Sequence, residues 1–275
     1  MNITLIEKFE RIGARAKMEI IPERWSARSR WQPTPRRISG SFSLDIQNDR
    51  KGEYFLVKIP EGNDLELEVL DVQTKLRHLL LLARQDGGKD KFLCGHDERH
   101  WFTCAVPGAN VSNVLTAMNA LRPTEVLESL TFNSLKNRDR LRRRNAAFIR
   151  QGEWFFLPEP DLIVPERLIL TNEPISRGRG KPHWLEKAYR SGGTQVRVCT
   201  EYPTGLLEHE YKTLLARRPS AVGWNWKSMM RDAGVYANGA VSHPDHATIY
   251  LRGWHRVVMN TEHQARAARN IVFLD

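Results

Sequence analysis

Leu65-Glu66-Leu67-Glu68-Val69-Leu70 sets apolar and acidic side chains on alternate positions at its start. A period of two marks a strand with one face on a core and the other in water. The same period extends to both sides. Ser41 to Ile46 and Glu53 to Ile59 read as strands, punctuated by Asn48-Asp49 and Gly52. Val72 to Arg84 fits a strand feeding a hairpin or a helix equally well. After the turn signal Asp86-Gly87-Gly88, Lys91 to Cys94 and His100 to Val106 suggest a hairpin.

Beyond this β-rich stretch, helical spacing returns. Val114 to Leu121 reads as a helix capped by Ser112, and Pro123-Thr124-Glu125 opens another. Trp154 to Leu157 is a strand bounded by Gly152 and Pro158. The last third reads as a helix (His183 to Arg190), a strand (Gln195 to Cys199), a helix (Glu208 to Ala216) and a closing hairpin, Val235 to Val241 and Ala247 to Val258. At the N-terminus, Leu5, Ile6, Phe9, Ile12 and Ala16 share a helical face over residues 3–20, stopped by Pro22. The expected class is α+β, mainly antiparallel sheet with a few helices and an extended Arg-rich N-terminal arm. Composition divides the chain into a helix and basic arm (1–37), a β-rich α+β domain (38–160) and an α+β C-terminal domain (161–275), the last two separate or packed as one unit.

Charge is the clearest functional signal. Lys and Arg number 42 against 32 Asp and Glu, a formal net charge of +10, while the 41% hydrophobic share is that of a folded chain. The excess is concentrated. Arg24, Arg28, Arg30, Arg36 and Arg37 accompany Trp25 and Trp31 with no acid among them. Lys136, Arg138, Arg140, Arg142, Arg143, Arg144 and Arg150 face a single acid, Asp139. Arg177, Arg179 and Lys181 form a third patch in a Pro- and Gly-rich stretch. Guanidinium groups neutralise phosphates and tryptophans stack on unpaired bases, so nucleic acid is the expected partner, with the tryptophans tilting the preference to RNA or single strands. A charge run is also an ordinary solvated face, and a tryptophan also pins an arm to a core. Trp224-Asn225-Trp226-Lys227 reads as a loop anchor rather than a stacking surface.

Two clusters carry candidate chemistry. Cys94, His96, His100 and Cys104 are zinc-ligand types in a short window. If His96 to Arg99 make the hairpin loop, Cys94 faces Trp101, and Cys104 stands about 10 Å further on at ~3.3 Å per residue, too far for one ion. Buried strand cysteines are the better reading. The second cluster, His243, Asp245 and His246 in Ser242-His243-Pro244-Asp245-His246, with His255 on the return strand, offers imidazoles and a carboxylate for acid–base work or a divalent metal. The bland alternative is a Pro-stabilised turn with His255 packed beside Trp254.

Other chemistries find no template. The glycines at 178, 180, 192 and 193 make no phosphate loop, and GxSxG, HExxH and paired CxxC are absent from the sequence. Three cysteines make no disulfide framework and suit a reducing, cytoplasmic setting. No apolar run approaches membrane-spanning length. Three functions remain: nucleic-acid binding without catalysis, a metal-dependent phosphodiester hydrolase using residues 243–255, and an assembly protein self-associating through its arm and the apolar Ile271-Val272-Phe273-Leu274-Asp275. No cofactor is required beyond a divalent metal in the second.

Overall fold

The structure, a computed structural model, describes residues 2–22, 24–25, 37–38, 42–62, 64–85, 87–177 and 181–265. In chain order its elements are α1 (Asn2–Arg11), β1 (Ala16–Ile21), β2 (Arg24–Trp25), β3 (Arg37–Ile38), β4 (Ser43–Asp49), β5 (Gly52–Pro60), β6 (Glu66–Gln73), β7 (His78–Gln85), β8 (Gly88–Asp97) and β9 (His100–Ala105). There follow α2 (Val114–Ala120), α3 (Thr124–Phe132), α4 (Asn137–Arg140), β10 (Ile149–Gln151), β11 (Trp154–Pro158) and β12 (Leu170–Ile175). The remainder is β13 (His183–Ser191), β14 (Thr194–Val198), α5 (Glu208–Arg217), β15 (Lys227–Arg231), β16 (Gly234–His243) and β17 (His246–Met259). The protein is α+β and mostly antiparallel sheet, as the alternation predicts. None of the described helices is long and apolar enough to cross a membrane.

The first half is built around β7. Strands β6-β7-β8-β9 form an antiparallel meander. Leu79, Leu81 and Ala83 of β7 join Phe92, Cys94 and Ala105 in a core shared with Leu5 and Phe9 of α1 and with Leu44, Phe55 and Val57 of β4 and β5. Leu80 and Leu93 point the other way, onto Val114 and Ala117 of α2. A strand covered on both faces needs a continuous apolar run rather than alternation, which is why Leu79 to Ala83 looks equally like helix.

Three expectations change here. The N-terminal helix stops at Arg11 rather than near residue 20. Gly13 takes φ +80, and β1 then pairs in parallel with β5, from Ala16 opposite Phe55 to Ile21 opposite Pro60. A ladder supplied by a distant strand outweighs local helical spacing. The cap of α2 is Asn113 rather than Ser112: its side chain accepts from the Thr116 N–H, and Thr116 Oγ1 accepts from the Asn113 N–H. The β8–β9 turn is Glu98-Arg99 alone, with Asp97 opposite His100 and Cys94 opposite Thr103. Cys94 and Cys104 therefore face opposite sides of the sheet, Cys94 in the core beneath α1 and Cys104 toward α2. They cannot share an ion. His96 packs its ring against Trp101, and His100 Nδ1 meets Glu53 at 2.7 Å.

The second half centres on a six-stranded antiparallel sheet ordered β10-β11-β17-β16-β13-β12. Phe156, Leu185, Ala188, Ala237, Val241, Leu251 and Val257 fill one core against it. Phe155 and Leu157 point oppositely, onto Val126 and Leu130 of α3. Residues 183–190, expected as a helix, are strand β13. His183, Leu185 and Ala188 are buried while Glu186 and Lys187 are both exposed. A register shift between Leu185 and Lys187 resets the alternation by one residue. That shift creates a spacing of three, which mimics a helical face. Strand β14 pairs with β15, and Tyr202, Tyr211, Trp224 and Trp226 pack ring on ring beside them. Both tryptophans are half-buried in this stack. Residues 271–275 lie outside the described residues.

Candidate functional site

The turn Pro244-Asp245 joins β16 to β17 and sets His243 opposite His246. One strand over, Trp184 pairs with Ser242, which places His183 at the same end of the sheet. His183 and His243 stack with ring centroids 4.1 Å apart; His246 lies 4.8 Å from His243 and 5.6 Å from His183. A nitrogen of each ring lies within 4.8 Å of a nitrogen of the other two. Sequence reasoning finds His243 and His246 but misses His183, whose segment it reads as a helix. It also included two residues that do not join the cluster. His255 is buried six β16 positions away, about 20 Å at ~3.3 Å per residue, with Nδ1 3.0 Å from the Gly253 carbonyl. Asp245 turns outward to Lys181 Nζ at 3.1 Å. Burial pulls its carboxyl upward, but the hydrogen bond and charge of Lys181 outweigh this and hold it below its ordinary value.

The imidazoles are poorly satisfied. His183 is 1% exposed and neither of its ring nitrogens has a hydrogen-bond partner among the described residues, nor does Nδ1 of His246. Burial, then the charge of His243, pushes His183 down to about 3 and His246 down to about 4. Both rings are neutral at pH 7, each with a nitrogen lone pair available. His243 differs: its Nδ1 accepts the Asp245 N–H at 3.1 Å and its Nε2 lies 3.3 Å from the Lys181 carbonyl.

Gly152, in the β10–β11 turn with φ +57, closes the site from the side. A Cβ there would stand 2.9 Å from His246 Nε2 and 3.4 Å from His183 Nε2. A side chain at this position would therefore press on both imidazoles. Next to it, burial raises the carboxyl of Glu153 above its ordinary value. On the far side of His246, Glu98 Oε2 approaches Nδ1 to 3.6 Å and accepts the Ala247 N–H at 3.0 Å. Glu98 has φ +50, uncommon for a residue with a side chain.

Glu98 also borders a surface cleft of about 510 Å³ lined by Arg143, Arg144, Arg150, Ile149, Tyr250 and Arg252. Arg143 pairs with Glu98 at 2.5 Å and with Asp97, and Arg150 pairs with Asp97 at 2.9 Å. Arg144 donates to the Tyr250 carbonyl at 3.2 Å, and Tyr250 is 67% exposed. The central basic run therefore splits. Arg143, Arg144 and Arg150 reach one cleft, joined by Arg252, which sequence reasoning had not singled out. Lys136, at the N-cap of α4, and Arg138 within it are exposed, Arg140 Nε donates to the Leu135 carbonyl, and Arg142 pairs with Asp139. In the third patch Arg177 pairs with the buried Glu262. The side chains of Arg24, Trp25, Arg28, Arg30, Trp31, Arg36, Arg37 and Arg179 lie outside the described residues.

Fold and site together define an antiparallel-sheet α+β protein with a three-histidine cluster beside an arginine-lined cleft. Comparison with protein-family models, curated proteins and solved structures finds no match to this chain.

Proposed function

We propose that this protein binds nucleic acid, RNA or a single strand by preference, along the cleft of Arg143, Arg144, Arg150 and Arg252. The observation that carries the reading is the pairing of concentrated guanidinium groups with an exposed aromatic ring, Tyr250. Arginines track a phosphate backbone, and an exposed ring stacks on an unpaired base. Glu98 and Asp97 neutralise only part of this charge, and Arg144 and Arg252 form no ion pair among the described residues.

Fluorescence anisotropy with labelled single-stranded RNA, single-stranded DNA and duplex tests the reading. Binding that weakens steeply with salt is expected, and Arg144→Glu with Arg252→Glu should weaken it at least tenfold. No binding at low salt, or no effect of the double charge reversal, would remove it.

One contact supports a second reading. Glu98 touches both the cleft through Arg143 and the histidine cluster through His246. A strand held in the cleft would then lie beside a centre able to cut it, a metal-dependent phosphodiester hydrolase. Oligonucleotide left intact by zinc- or manganese-loaded protein would reject this second reading while leaving binding untouched.

A further inference from the structure

We propose that His183, His243 and His246 bind one divalent transition-metal ion, zinc by the nature of its donors, with a fourth coordination position open to water or an anionic ligand. Three independent features of the chain support this assignment. It does not rest on nucleic-acid binding, and the two can fail separately.

The first feature is convergence. Three imidazoles from the ends of three hydrogen-bonded strands bring their nitrogens within 4.8 Å of one another. A tetrahedral ion bonded at ~2.0–2.1 Å needs its nitrogens about 3.3 Å apart, so the rings close by roughly 1.5 Å or less on binding. Side-chain rotation of His243 and His246 at the turn end of the β16–β17 hairpin provides that.

The second feature is lack of satisfaction. A buried polar atom without a partner costs about 1–3 kcal/mol, and native proteins contain few. His183 carries two of them at 1% exposure. An ion on Nε2 gives one of these a partner. Gly152 keeps a side chain away from these rings: a Cβ there would stand 2.9 and 3.4 Å from the two Nε2 atoms. Any larger residue at that position would crowd the two nitrogens that a shared ion must reach.

The third feature is the outer shell. A metal-bound histidine commonly presents its other nitrogen to a carboxylate, which fixes the ring and strengthens the donor. Glu98 lies 3.6 Å from His246 Nδ1, on the side away from Gly152. Its carboxylate is itself held by the Ala247 N–H and Arg143. Imidazole sets select zinc, copper, nickel or cobalt rather than magnesium or calcium, which take oxygen. Three protein ligands rather than four leave the coordination incomplete, the pattern of catalytic rather than structural zinc. His243 must exchange one of its two present contacts to join, so it is the weakest of the three ligands.

The test is metal analysis of purified full-length protein, stripped with chelator and reloaded with zinc or cobalt(II). One equivalent per chain is expected, with the intense visible absorption of four-coordinate cobalt and a rise in thermal midpoint on loading. His246→Ala and His183→Ala should each reduce occupancy below a tenth, and His243→Ala should weaken affinity less. Circular dichroism checks the fold of each variant; because His183 is buried, the half-buried His246 carries the decision. Cys94→Ser should leave occupancy unchanged. Wild-type protein that takes up less than a tenth of an equivalent overturns the proposal, as does full occupancy in folded His246→Ala.

Discussion

Gly152 and His246 meet across the β10–β11 turn so closely that a Cβ on Gly152 would stand 2.9 Å from the imidazole Nε2. The glycine is required twice, by φ +57 and by that approach. Gly152→Ala should therefore lower stability by about 1–2 kcal/mol and displace the ring from its present position. Its effect on bound metal should be disproportionate: occupancy falls at least tenfold in a protein that still melts cooperatively. Calorimetry and metal content on the same sample check both. Unchanged metal content would show that crowding at position 152 does not disturb any metal ligand.

Asp49 holds the parallel strand β1 to the end of the β4–β5 hairpin, accepting from Arg15 at 2.8 Å and from Lys17 at 2.9 Å. Hydrogen bonds from these two side chains hold its carboxyl well below the usual carboxylate range. A group depressed in the folded state stabilises above its unfolded pKa, about 3.9, and loses that contribution as pH falls toward the folded value. Asp49→Asn should melt below wild type at pH 7, and the gap should narrow steadily below about pH 4. A gap that stays constant from pH 7 to pH 2 would show that the ion pairs contribute nothing.

Cys94 lies in the core, where burial pushes its thiol up to about 12, and Cys104 is also raised well above its ordinary value by burial. Since the thiolate is the reactive form, neither should react with a disulfide reagent at pH 8 until the protein unfolds. Rapid labelling of the native Cys104→Ser variant at Cys94, followed by mass spectrometry, would contradict the register of β8 and β9. No disulfide joins the pair, because their side chains lie on opposite faces of one sheet.

Much of the fold is legible in sequence because each side chain in a strand answers locally to water or core. The alternation at 65–70 became β6, the paired runs around Gly52 became β4 and β5, and the closing hairpin became β16 and β17. Legibility failed where a residue answered to something distant. Ala16–Ile21 became a strand only because β5 lies alongside it. The shift at Glu186 and Lys187 turned a period of two into an apparent helical face. That single misreading hid His183, and with it the third member of the cluster. Gly152 and Glu98 were equally unreadable, since their significance is a distance to His246 and not a pattern along the chain.

By itself, then, the sequence determined the class and the raw materials: mostly antiparallel sheet, basic charge gathered into patches, and two histidines flanking a Pro-Asp turn. Those features depend on composition and near-neighbour spacing, which the chain carries wherever it folds. The tertiary structure decided which residues share a site. It sent His255 about 20 Å away along the sheet, at ~3.3 Å per residue, and brought in His183 from sixty residues upstream of His243. It also split the central basic run, gathering Arg143, Arg144 and Arg150 with Arg252 into one cleft. The physical reason is strand register. A hydrogen-bonded ladder fixes neighbours across the sheet to within one residue, and that pairing is chosen by the whole sheet rather than by any segment of it.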